Sequence, residues 1–155
     1  MNRKNCMKHA SRLALGLAAL ALAATPSFAQ TTYHLCASDG TVTMPDSTSV
    51  TIWGYADITG GGTCTTGLAT LPGPELRATA GDTLTINLSN ALAVPVSLFV
   101  PGYRAATTGG SAGMLTAEAT PGGSVTYVLT ARAGTYLYHS GTDITTQVPM
   151  GLYGA

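Results

Sequence analysis

In TLTINLS, residues 83 to 89, Leu84, Ile86 and Leu88 alternate with Thr83, Thr85 and Asn87. A period of two gives an extended segment one apolar and one polar face, so the run reads as a half-buried strand. SVTYVLTA repeats the pattern with Val125, Tyr127 and Leu129 on one face. Between such runs the chain is punctuated by turn residues: AGD at 80 to 82 and TPGG at 120 to 123 each lead into a strand. Pro72 and Pro74 in LPGPE lack amide donors and lie outside any central strand. Beyond the first 29 residues no helical period is sustained. The pattern predicts an antiparallel sandwich or barrel with strands in TTYHLCA, TVTMP, SVTIWGYAD, ELRATA, TLTINLS, VPVSLFV, SVTYVLTA, GTYLYHS and VPMGLYG. ITGGGTCTTG, 58 to 67, and AATTGGSAG, 105 to 113, read as long flexible loops.

The beginning of the chain reads differently. Arg3, Lys4, Lys8 and Arg12 precede the apolar run LALGLAALALAA, which is followed by TPSFAQ. That order predicts a secretory signal peptide over residues 1–29, cleaved after Ala29. The run is short for a bilayer span, so no membrane span is expected after cleavage. No arginine pair precedes it, and Cys6 stands ahead of the apolar run, where a lipid anchor is not expected. The expected product is exported, periplasmic or secreted. Residues 30–155 then form one domain, long enough to bury roughly two thirds of its unfolded surface.

This region holds seven carboxylates but only three cations, Arg77, Arg104 and Arg132, and no lysine. Without a basic patch, nucleic acid is excluded as an expected partner. Its two cysteines, Cys36 and Cys64, predict a disulfide in an oxidising compartment, worth roughly 3 to 4 kcal/mol by loop closure.

Three stretches carry a resemblance: LPGPELRATAGDTLTINLSNAL, SLFVPG, and TPGGSVTYVLTARAGTYLYHSGTDITTQVPMGLYGA. Together they resemble the N-terminal, plastocyanin-like domain of the multicopper oxidases. The resemblance implies an all-β, cupredoxin-like Greek-key β-sandwich, with further cupredoxin domains or other protein chains as partners. It also implies copper as the family cofactor. In that family two His-x-His pairs from this domain contribute to a trinuclear centre. Laid on this chain, the first pair falls on Phe99 and Pro101 and the second on His139 and Gly141, so His139 is the one imidazole of four. Three degenerate ligand positions and a single imidazole predict no copper cluster in this chain alone, and no active oxidase. The family pattern also runs on past Gly-Leu-Tyr-Gly-Ala, so the resemblance implies truncation at the C-terminal end.

Other chemistries are weaker. A blue-copper site needs a cysteine where Ser140 stands, and Met150 alone reads as packing. GGSAG, 109 to 113, matches a nucleophile elbow formally but lacks the strand-to-helix setting. His139, Ser140 and Asp143 are close in sequence, but strand neighbours point to opposite faces, so no triad is expected. Three functions stay open. The first is a multicopper-oxidase-like structural or interaction module. The second is the N-terminal part of a larger copper-dependent oxidoreductase. The third is a carbohydrate or protein binder using Trp53, Tyr55, Tyr103, Tyr127, Tyr136, Tyr138 and Tyr153.

Overall fold

A computed structural model describes residues 29–155. The expected signal peptide and Cys6 lie outside the described residues, except for Ala29. The first strand, β1, is Gln30–Thr43, followed by β2 (Ser49–Asp57), β3 (Thr83–Asn90), β4 (Ala106–Gly109), β5 (Ser124–Thr130), β6 (Tyr138–His139), a short helix α1 (Ile144–Met150) and β7 (Tyr153–Gly154). Five strands form one sheet in the order β2-β1-β3-β5-β4, and β6 pairs with β7 in a second. This is the expected all-β, cupredoxin-like sandwich.

The alternating runs place their apolar faces inward. Leu84, Ile86 and Leu88 of β3 and Val125, Tyr127 and Leu129 of β5 are buried in the common core with Leu35, Val96, Leu98 and Leu152. β3 and β5 pair antiparallel with Ile86 opposite Tyr127, so the inward rows of the two strands are aligned. The expected turns close as read: Gly81 and Gly122 have φ of 96° and 70°, and the Gly123 amide donates to the Thr120 carbonyl at 2.8 Å.

Five expectations are corrected. TTYHLCA and the first three residues of TVTMP are one strand, β1, because Ser38, Asp39 and Gly40 between them pair with Gly54, Trp53 and Ile52 of β2. The sheet is not wholly antiparallel: β1 runs parallel to β3, with Tyr33 opposite Ile86. A parallel neighbour needs a long connection back to the same end of the sheet, and residues 44 to 82 supply it, β2 making the return and residues 58 to 82 crossing to β3. The Tyr33 hydroxyl fixes that connection by donating to the Arg77 carbonyl at 3.0 Å and accepting from the Arg77 amide at 2.9 Å. AATTGGSAG is not wholly loop, since Ala106–Gly109 is the edge strand β4 paired to β5.

The fourth correction concerns DITTQVPMG, where a strand was expected from Val148 and a helix forms instead. The Asp143 carboxylate accepts from the Thr146 amide at 3.3 Å as N-cap, and Gly151 closes the other end with φ of 120°. These are ordinary helix start and stop signals, too close together to show a period. Likewise ELRATA and VPVSLFV form no ladder of their own. Pro95 removes a donor within VPVSLFV, and Pro72 and Pro74 precede ELRATA; what remains are single contacts such as the Val96–Ala119 bridge and the Leu76 amide to Ala155 carbonyl bond of 2.8 Å.

The disulfide Cys36–Cys64 is present, with Cα atoms 5.1 Å apart. It holds the 58–67 loop over β1, and the Leu68 amide adds a bond to the Ser38 hydroxyl at 3.2 Å. This cover explains why four successive residues, Leu35 to Ser38, are buried on a strand.

Candidate functional site

Asn90, at the end of β3, sets the approach to the site. Its side-chain amide donates to the carbonyls of Val94 at 2.8 Å and Ala119 at 2.9 Å, and its oxygen accepts from the Leu92 amide at 2.9 Å. All three bonds shape the loop that delivers residues 95 to 100 into the second layer. There Phe99 meets His139. The Phe99 amide donates to the His139 carbonyl at 2.7 Å and the His139 amide to the Phe99 carbonyl at 3.0 Å. The two rings stand edge to face with centroids 5.6 Å apart. Pro101 is exposed just beyond, in a turn.

Gly141 is buried behind this pair, and its amide donates to the Ser97 hydroxyl at 3.0 Å. A Cβ there would stand 3.1 Å from Phe99 Cβ, 3.2 Å from Leu115 Cβ and 3.3 Å from Ser97 Oγ. Any larger side chain, an imidazole included, requires those neighbours to give way.

A closed polar frame supports the strands. The Ser140 hydroxyl donates to Gln147 Oε1 at 2.6 Å, and Gln147 Nε2 donates to the Pro95 carbonyl at 2.8 Å. Thr142 Oγ1 donates to Ser97 Oγ at 3.0 Å, and the Tyr55 hydroxyl donates to the Ser97 carbonyl at 2.6 Å. Gln147, Ser97 and Ser140 are buried, and no buried side-chain nitrogen or oxygen among the described residues lacks a partner. Ser97 and Gln147 escaped the sequence reading as a pair because 50 residues of chain separate their roles and neither is a conventional catalytic residue.

His139 is half-buried, and its Nδ1 lies 2.8 Å from the Ser140 carbonyl. A carbonyl only accepts, so Nδ1 carries the proton and Nε2 of the neutral ring keeps a lone pair. That is the arrangement of a ligating histidine. Its surroundings are not those of a cluster: Phe99, Pro101 and Gly141 offer no donor side chain. Among the described residues no three His, Cys, Asp or Glu side chains gather to hold a metal. One imidazole does not fit a trinuclear copper centre. His34 is exposed on β1, and its backbone amide bonds Thr59.

The Ser140 hydroxyl is committed to Gln147, and Asp143 caps α1, so the three neighbours do not form a triad. Ser111 of GGSAG sits in an exposed bridge with Glu118, not at a strand-to-helix elbow. Of the aromatic residues, Tyr55, Tyr127 and Tyr138 are core side chains. Burial pushes all three phenols well above the ordinary tyrosine pKa.

Comparison with known proteins decides the family. A family model described as multicopper oxidase matches residues 38–155. The chain belongs to the multicopper oxidase family. That family is copper-dependent. Among solved structures, this multicopper oxidase domain is similar to a multi-copper oxidase from Pseudomonas thermotolerans, at 26% identity and a TM-score of 0.66 over 83% of this chain and 29% of that one. It is similar to a laccase from Botrytis aclada at 27% identity and a TM-score of 0.62, over 84% of this chain and 22% of that one. A copper nitrite reductase from Nitrosomonas europaea shares the fold at 23% identity and a TM-score of 0.59, over 83% of this chain and 40% of that one. The chain thus spans less than a third of the length of the first two. No curated protein matches it. Among the described residues no helix is long and apolar enough to cross a membrane.

Proposed function

We propose that this multicopper oxidase domain is a structural or interaction module whose trinuclear ligand positions are degenerate. The observation that carries the reading is Phe99 packed on His139. The two strands that would present imidazoles to one another are in register, and an apolar ring fills one side. Gly141, closed in by Phe99 and Leu115, supports it from the second pair. Export of the domain is part of the proposal, supported by the leader-like first 29 residues and by the Cys36–Cys64 disulfide.

The test is elemental analysis of the purified protein after incubation with Cu(II) and exhaustive dialysis, together with an oxygen-consumption assay. Copper far below one equivalent and no oxygen uptake are expected. Retention of one equivalent or more would overturn the reading.

A second reading is favoured by the short span of the matched structures: the domain is the N-terminal part of a larger copper-dependent oxidoreductase whose copper centres lie elsewhere. Sequencing the transcript in frame beyond codon 155 tests it, since a downstream His-Cys-His motif is then expected and a stop codon refutes it.

A further inference from the structure

A cleft of about 370 Å³ opens between the Glu75–Ala78 segment and the paired rings of Tyr103 and Tyr136. It has no part in the Phe99–His139 site. Its apolar lining includes Leu84 and Leu129, inward residues of β3 and β5 that keep 9% and 7% of their surface exposed, with Ile86 fully buried beneath them. Tyr103 and Tyr136 meet edge to face with centroids 4.9 Å apart. The Arg132 guanidinium lies 4.9 Å from the Tyr103 ring centroid, and its Nη1 donates to the Gly102 carbonyl at 3.3 Å. Stacked and anchored in this way, the guanidinium is oriented before any ligand arrives and keeps further N–H donors free.

The charge distribution says what such a cleft takes. Residues 30–155 carry three arginines against seven carboxylates. Two of the three arginines, Arg77 and Arg132, line this cleft, with only Glu75 among the seven acids. Glu75 is bound to Arg77 at 3.1 Å, and among the described residues Arg132 has no carboxylate within ion-pair distance, although Ala155 also lines the cleft. A positive rim on an acidic domain favours an anion, while the apolar and aromatic lining penalises a strongly hydrated one. A concave site of this size with a few convergent polar groups has the form of a small-molecule pocket.

We propose that the cleft binds an aromatic carboxylate. Its ring lies against Tyr136 and the exposed edges of Leu84 and Leu129, and its carboxylate is held by Arg132.

The test uses 2-naphthoate and its neutral amide, 2-naphthamide, titrated into the full chain by calorimetry and by amide NMR. Naphthoate is expected to bind at least about tenfold more tightly than the amide, the discrimination of one charge-assisted bond. Amide shifts should concentrate on Ala131 to Tyr136. Arg132→Gln, a change at an exposed side chain, should weaken naphthoate by about tenfold and leave naphthamide unaffected. Arg104→Gln, outside the cleft, should alter neither. Equal affinity for acid and amide, insensitivity to Arg132→Gln, or the absence of saturable naphthoate binding would each overturn the proposal.

Discussion

Phe99 and His139 face each other across an antiparallel bridge, with mutual backbone bonds of 2.7 and 3.0 Å and ring centroids 5.6 Å apart. The bridge holds two strands in the register a shared metal would need, while one of the paired side chains has no ligating atom. Replacing that ring should expose what the register can do. Phe99→His is expected to tighten Cu(II) binding by about tenfold or more over the natural chain, measured by calorimetry against a competing chelator. Phe99→His combined with His139→Ala should return to the starting affinity. If Phe99→His binds copper no better than the natural chain, the two positions do not present side chains to a common point.

The polar frame behind the bridge makes Gln147 a structural residue. Gln147→Leu would leave the Ser140 hydroxyl and the Pro95 carbonyl without their partner in a buried setting. A loss of about 2 to 6 kcal/mol in urea-unfolding free energy is expected, since each of the two orphaned groups costs about 1 to 3 kcal/mol. Thr145→Ala, on the exposed side of α1, provides the contrast and should change stability little. A neutral outcome for Gln147→Leu would mean that the frame does not hold the strands.

Alkaline pH should unfold the protein through its core phenols. Desolvation raises the pKa of Tyr55, Tyr127 and Tyr138 in the folded state. Their stabilising contribution is complete below the unfolded tyrosine value of about 10 and is lost progressively as pH rises above it, because the unfolded chain then releases protons that the folded chain retains. Thermal midpoints should be flat in this respect below that value and fall steeply above it, with the 295 nm absorbance of these three tyrosines rising only on unfolding. Three buried phenols that ionise while the fold persists would contradict the assignment.

The disulfide closes a separation of 28 residues and pins the 58–67 loop over β1. Cys36→Ala with Cys64→Ala should cost about 3 to 4 kcal/mol by the loop-entropy relation. The double variant should also be cleaved faster by protease within 58–67. Unchanged stability and cleavage would show that the loop is held by its backbone contacts alone.

Much of the fold was legible residue by residue. Alternation in TLTINLS and SVTYVLTA determined which side chains face inward, because side-chain direction in a strand has a period of two whatever the strand pairs with. AGD and TPGG determined turns, because glycine permits the positive φ found at Gly81 and Gly122. The ordered landmarks indicated the family and pointed to positions 99, 101, 139 and 141. Partner choice was another matter. The parallel β1–β3 pairing, the edge strand β4 and the Phe99–His139 bridge rest on hydrogen bonds between residues far apart in the chain, and a local pattern carries no information about which donor row meets which acceptor row. Helix α1 is too short to show a period and exists through its two caps. The gathering of Arg77 and Arg132 beside Tyr103 and Tyr136 arises only when the 58–82 connection returns across the sandwich. By itself, then, the sequence determined what each strand buries and which imidazoles the domain can offer. Tertiary structure decided which residues meet, because non-local backbone pairing fixes register and brings separated segments to one site.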